Sequence, residues 1–267
     1  MDAHKPRKRF GQNFLTDSGI INKIVRSIAP HADQRIVEIG PGQAAITKPL
    51  LESCPSLHVV ELDRDLVERL ESLQSTYPQL TIHSADALKF NFAALADGPH
   101  SLRVVGNLPY NISTPLIMHL LASSALIKDM HFMLQKEVVD RIAASPGNKN
   151  FGRLSVMVQY FCDAQSLFPV PPEFFYPPPK VNSAIVRLAP YESPPHTAEN
   201  FSLFRRLVAS CFQHRRKTLR NNLKSLLPVE IIEQLSIDVK QRPDQFGVEQ
   251  YVALANEIST QHASAIL

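Results

Sequence analysis

The sequence has no tryptophan and only three cysteines, Cys54, Cys162 and Cys211, far apart along the chain. A scattered, odd set offers neither a disulfide framework nor a CxxC metal site, so no metal is expected and a reducing, cytoplasmic setting is favoured. Long apolar runs are missing as well. The longest, around 116–126, is interrupted by His119 and two serines, so no membrane span is expected. Residues 1–10 carry charge but lead into no apolar stretch of the kind a signal peptide needs. Net charge is also small, because 28 Lys and Arg stand against 25 Asp and Glu, leaving +3. Total charge therefore says little about partners, whereas its placement says more.

The chain has 267 residues, 44% of them hydrophobic, enough for one large α/β core with a small appended domain. Short β-rich runs alternate with amphipathic stretches. The pattern predicts strands over 36–39, 57–61, 80–83, 103–106 and 131–135. Helices are expected over 44–51, 65–73, 115–121, 137–144 and 152–161. Strands alternating with helices imply a parallel sheet covered on both faces. Two further strand-like runs, 165–170 and 181–188, are joined by a proline-rich loop without room for a crossover helix, so they should be antiparallel neighbours. Ser, Pro, His and Thr cluster at 190–200, and four helical segments follow. The expected organisation is a catalytic domain over 1–190, a linker over 191–200 and a helical domain over 201–267.

Polar and glycine residues gather where the strands end. The first strand runs into Glu38-Ile39-Gly40-Pro41-Gly42-Gln43-Ala44. Glycines there let a ligand approach the backbone closely, although a plain tight turn has the same look. The dinucleotide pattern GxGxxG is not met, since Ala45 stands in place of the last Gly, which disfavours a nicotinamide dehydrogenase and suits a cofactor without phosphates. Glu61 ends the second strand, where a carboxylate can accept from ribose hydroxyls or simply face solvent. Asp86 follows the third, where it can accept from an adenine amine or cap a helix. Together they mark the carboxyl edge at which open α/β sheets bind ligands.

The fourth strand ends in Asn107-Leu108-Pro109-Tyr110. The exocyclic amine of adenine is a poor nucleophile because its lone pair is delocalised into the ring. The Asn107 side-chain carbonyl and the Leu108 backbone carbonyl can each accept one N6–H and so aim the lone pair. Pro109 stiffens the turn, and the Tyr110 ring offers a face on which the base can stack. The plainer alternative is an Asn–Pro turn closing a strand. Basic residues concentrate at Lys5, Arg7, Lys8 and Arg9, and again at His214, Arg215, Arg216, Lys217, Arg220 and Lys224. Such groups can neutralise RNA phosphates, or they can be ordinary solvated charge.

Asn107–Tyr110 resembles the (Asn/Asp)-x-Pro-(Tyr/Phe) motif of adenine-N6 methyltransferases. Phe10-Gly11-Gln12-Asn13-Phe14-Leu15 and the run from Phe175 to Ser183 resemble the ribosomal RNA adenine dimethylases. The likeness extends from about residue 8 to 224. It is to the bacterial branch that dimethylates two adjacent adenines in the hairpin loop near the 3′ end of 16S rRNA, in the small subunit. The resemblance implies a Rossmann-like, S-adenosylmethionine (SAM)-dependent fold with a seven-stranded, mostly parallel sheet and one antiparallel strand. It also implies that Asn13, Leu15, Gly40, Glu61, Asp86 and Asn107 contact SAM, and that Phe175 closes on the base opposite Tyr110; read from the residues alone, Phe174 and Phe175 in this proline-rich loop are as readily core plugs. The superfamily often has a third glycine where this chain has Ala44. A monomer is expected. The rival readings are an adenine-N6 DNA methyltransferase, a large-subunit rRNA methylase, and a non-catalytic RNA-binding assembly factor. Intact cofactor and Asn107–Tyr110 motifs argue against the last.

Overall fold

A computed structural model describes residues 12–262, 264 and 266. The chain divides into two compact units. The first runs to Val139 and resumes over Asp163–Glu192; the second takes Asp140–Cys162 and everything from Ser193 on. The segment 140–162 precedes the expected linker, yet it packs with the later helices.

In the first unit, β1 (Phe14–Leu15), α1 (Ser18–Ile28), β2 (Arg35–Ile39), α2 (Thr47–Ser53) and β3 (Leu57–Glu61) come first. Then follow α3 (Arg64–Gln74), β4 (Thr81–Ser84), β5 (Leu102–Asn107), α4 (Ser113–Leu121), β6 (Ile127–Gln135) and α5 (Lys136–Ile142), which runs across the boundary. After α6 (Arg153–Gln159) in the second unit come β7 (Cys162–Val170), β8 (Phe175–Tyr176) and β9 (Ser183–Pro190). Seven strands form one sheet in the order β4-β3-β2-β5-β6-β9-β7. Neighbours from β4 through β6 run parallel, and β9 is antiparallel to β6. The central strands β2, β3, β5 and β6 are buried almost throughout, as expected for a parallel sheet with both faces covered. Edge strands β4 and β7 are largely open to solvent.

Sequence periodicity leaves α1 and β1 unassigned. The signals for α1 are nevertheless local: Asp17 accepts a hydrogen bond from Ile20 N at 2.8 Å as its N-cap, and Ile24 and Ile28 recur on its buried side. A buried guanidinium secures its other end. Arg103 on β5 donates to the Ile28 and Ala29 carbonyls at 2.6 and 3.2 Å and forks onto Asp129 of β6 at 2.8 and 2.9 Å. Strand β1 pairs antiparallel with β8, in the register Phe14↔Tyr176 and Leu15↔Phe175. That pairing joins segments about 160 residues apart and leaves no periodic trace in the sequence.

The second unit contains α6 and then α7 (Phe201–Cys211), α8 (Leu219–Leu223), α9 (Val229–Ile232) and α10 (Val248–Gln261). Tyr160, just after α6, packs its ring on Phe204 of α7 with centroids 4.7 Å apart. The Gln159 amide donates to the Ile142 and Ala144 carbonyls at 2.7 and 2.8 Å. No helix among the described residues is long and apolar enough to cross a membrane.

Candidate active site

The carboxyl ends of β2, β3 and β5 open on one cavity of about 350 Å³. Its wall includes Asn13, Leu15, Gly40, Gly42, Glu61 and Asp86. It also includes Asn107, Leu108, Pro109 and Tyr110. Apart from Phe175, the residues expected at the cofactor and base sites therefore meet in one place.

After β2 the backbone turns through left-handed conformations at Gly40 (φ 66°), Gly42 (φ 58°) and Ala44 (φ 63°). The first two suit glycine. Ala44 adopts the same strained region where the superfamily often has a third glycine. Space imposes a second constraint. A Cβ on Gly42 would lie 3.1 Å from the Phe14 ring, and one on Gly106 would clash with the Ile39 carbonyl oxygen. Gly106 thus lets the ends of β2 and β5 converge. Sequence alone assigns it no role, although its place just before Asn107 is a usable signal.

Glu61 is held from three sides. Its carboxylate accepts from Leu62 N and Asp63 N at 2.9 Å each, and from Gly42 N at 3.4 Å. Burial pushes its pKa up, and these amides pull the other way. Glu38, unassigned from sequence, also lines the cavity and is 2% exposed. Burial raises its carboxyl to about 7; the Thr47 hydroxyl opposes that shift and the Glu61 charge adds to it. Its Oε2 has no hydrogen-bond partner among the described residues. Asp86 closes a local turn, accepting from Leu88 N at 3.0 Å through Oδ1. No helix starts at Asp86, so the helix-cap alternative is not realised, while Asp86 faces the cavity.

The Asn107 amide nitrogen donates to the Asn13 backbone carbonyl at 2.9 Å. With the nitrogen so engaged, the amide is oriented and Oδ1 remains the acceptor. Leu108 N continues the ladder to Met133 O at 3.2 Å, and the Leu108 side chain is buried. Tyr110 is fixed through its hydroxyl, 2.7 Å from the Ser183 hydroxyl at the start of β9. Burial raises the Tyr110 pKa, with Ser183 opposing. Ser183, 0% exposed, closes the second family motif, and sequence alone assigns it no role.

Phe175 requires a correction. It is 4% exposed, pairs with Leu15, packs in the core cluster with Ile24 and Ile185, and is absent from the cavity wall. Its ring packs among apolar side chains of the core and not on the cavity wall, the position of a core plug. The basic cluster of the second unit also divides. Arg215 donates to the Lys149 and Phe151 carbonyls at 2.6 and 3.2 Å, and Arg220 pairs with Glu233 at 2.6 Å. Arg216, Lys217 and Lys224 are exposed. Lys5, Arg7, Lys8 and Arg9 lie outside the described residues. Among the described residues no group of His, Cys, Asp or Glu could hold a metal.

Residues 3–260 match the model of the ribosomal RNA adenine dimethylase family. The chain is 58% identical to the ribosomal RNA small subunit methyltransferase A of Saccharophagus degradans, over 97% of this chain and 96% of that one. The protein of that name from Alcanivorax borkumensis is 55% identical, with 96% and 91% covered. Among solved structures, a dimethyladenosine transferase from Plasmodium falciparum superposes with a TM-score of 0.80 at 27% identity, covering 95% of this chain and 99% of its own. The 23S rRNA methyltransferase ErmE shares the fold at a TM-score of 0.73 and 23% identity, over 93% of this chain and 100% of its own. With similarity running over nearly its whole length, the chain is an rRNA methyltransferase and belongs to the ribosomal RNA adenine dimethylase family.

Proposed function

We propose that the protein transfers methyl groups from SAM to N6 of two adjacent adenines in the hairpin loop near the 3′ end of 16S rRNA. The product is N6,N6-dimethyladenine, and the step belongs to small-subunit maturation. The buried thiols Cys54, Cys162 and Cys211, none of them in a disulfide, suit action in the cytoplasm. The observation that carries this reading is the shared cavity wall: the Gly40–Gly42 turn, Glu61 and Asp86 face the same space as Asn107–Tyr110.

The cavity fits SAM on its own chemistry. Gly40 and Gly42 leave room for close approach to the backbone, and the Glu61 carboxylate is fixed by amides to receive ribose hydroxyls. Asp86 faces the adenine end, with Asn13, Leu15 and Asn107 completing the wall. When bound, SAM supplies an electrophilic methyl group on a sulfonium. The protein then has to aim an amine at it. Asn107 Oδ1 accepts one N6–H and the Leu108 carbonyl accepts the other, which draws N6 toward tetrahedral geometry. The Tyr110 ring holds the base by stacking. Catalysis is chiefly positioning, and no strong base is needed because the methylated amine loses its proton readily. A loop adenine is already unpaired, so presenting it costs less than extruding it from a duplex.

The test is incubation with labelled SAM and undermethylated small subunits or free rRNA, followed by nucleoside mass spectrometry and mapping of the modified base. Dimethyladenine at two adjacent loop positions is expected. Only monomethyladenine at saturating SAM, or label elsewhere, contradicts the reading.

A further inference from the structure

Tyr176 follows the buried Phe175 and is 64% exposed, more than any other large hydrophobic side chain among the described residues. The contrast arises from β8 itself, because successive residues of a strand face opposite sides. With Phe175 turned into the core, Tyr176 must face out. Its cross-strand partner is Phe14, whose ring stands 3.1 Å from where a Cβ on Gly42 would lie, against the turn that lines the cavity. Directly opposed residues of an antiparallel pair share a face, so Tyr176 stands on the same side of this small ribbon as the Phe14 ring that faces the Gly42 turn.

The loop over 176–182 is attached to the cavity wall at both ends. At one end Tyr176 pairs with Phe14; at the other Ser183 Oγ meets Tyr110 Oη at 2.7 Å. Asn182 is further secured by Lys136 N, which donates to its carbonyl at 2.8 Å. Between these anchors Lys180 is exposed and Val181 is 44% exposed. Three consecutive prolines, Pro177 to Pro179, restrict the backbone, so little freedom is left to lose on binding. The rim therefore presents an outward aromatic ring, a cation and apolar surface beside the pocket for the target base.

We propose that this loop is the platform for the nucleotide next to the target adenine in single-stranded RNA. Tyr176 stacks on that neighbouring base and Lys180 meets its phosphate. The inference rests on the rRNA adenine reading above and adds a second base site to it. Stacking on a ring needs an unpaired base and tolerates any base identity, which is the chemistry of a hairpin loop.

Methyl transfer from labelled SAM to undermethylated small subunits should be measured for wild type, Tyr176→Ala and Tyr176→Phe, with the fold checked by melting. Tyr176→Ala should raise KM for subunits about tenfold, Tyr176→Phe should stay near wild type, and SAM affinity should be unchanged in both. Lys180→Ala should lower the salt slope of binding by about one unit. A photoreactive benzophenone amino acid in place of Tyr176 should crosslink to the nucleotide adjoining the target, either the other adenine of the pair or the residue that flanks the pair. An unchanged KM in folded Tyr176→Ala overturns the platform, as does a crosslink to a ribosomal protein or to a distant nucleotide. A wild-type protein that modifies no subunit overturns the rRNA reading itself, and that result appears before any variant is compared.

Discussion

The side-chain amide of Asn107 donates to the backbone carbonyl of Asn13 across 2.9 Å, joining positions 94 residues apart. One bond therefore orients the Asn107 amide at the cavity wall and anchors the chain just before β1. Asn107→Ala should lower kcat by about two orders of magnitude or more, the scale seen when one preorganised polar group facing the reacting centre is removed. The same change should weaken SAM binding, because Asn13 loses its anchor. Turnover assays with calorimetry on the same variant check both effects. Near-normal turnover would sink the assigned role.

Tyr110 and Ser183 should behave as a pair. Tyr110→Phe leaves the fully buried Ser183 hydroxyl without this partner and should cost about 1–2 kcal/mol of stability with a mild effect on activity. Tyr110→Ala removes the stacking face and should cost a further 1–3 kcal/mol, approximately, of base binding. In a double-mutant cycle, Ser183→Ala should add little to Tyr110→Phe. Fully additive losses would show that the hydroxyls act separately.

Ala44 sits at φ 63°. Left-handed backbone costs a residue with a Cβ about 1–2 kcal/mol, and glycine escapes most of this despite its larger entropy in the unfolded chain. Ala44→Gly should therefore raise stability by about 1 kcal/mol. Urea unfolding, read at unchanged m-value, is the measurement.

His131 on β6 is 3% exposed, and burial holds its imidazole at about 4, against the pull of the Asp129 carboxylate 3.9 Å away. In the unfolded chain it titrates near 6.5. The unfolded state therefore binds the proton first, and stability is complete above pH 6.5 and lost as pH falls toward 4. The loss by pH 4 should be about 3 kcal/mol from this residue. Melting curves between pH 7 and 4.5 should show a shallower acid limb in His131→Leu.

The two kinds of arginine in the second unit should separate experimentally. Arg216→Ala with Lys217→Ala should leave melting unchanged, weaken rRNA binding and lower the salt slope by about one unit for each phosphate no longer neutralised. Arg215→Ala should instead lower the melting temperature, since its guanidinium holds the Lys149 and Phe151 carbonyls. Replacing Arg7, Lys8 and Arg9 with Ala should weaken rRNA binding without touching SAM affinity. An unchanged salt slope in folded variants of both clusters would mean that these charges are merely solvated.

The strand ends are legible because their signals are local. Strand β3 spans the residues its apolar run indicates, and Gly40, Glu61, Asp86 and Asn107 follow successive strands into one cavity. Helix α1 carries a local signal too, in Asp17 and the spacing of its isoleucines, although the alternation of strands and helices begins only after it. Gly106 is different. Only the approach of the Ile39 carbonyl shows why no side chain fits there.

What the sequence determined by itself, then, is the alternation of strands and helices, the carboxyl-edge site and the Asn107–Tyr110 motif that lines it. Each rests on a periodicity or a short motif within a few residues, which backbone geometry translates directly into place. The tertiary structure decided which member of the Phe175–Tyr176 pair faces outward, which way the Asn107 amide turns, and which arginines are already engaged. Those outcomes depend on partners far along the chain, such as Phe14, Asn13 and the Lys149 carbonyl. Facing pairs and hydrogen-bond partners exist only once the sheet and helices have packed, so no reading of neighbouring residues could supply them.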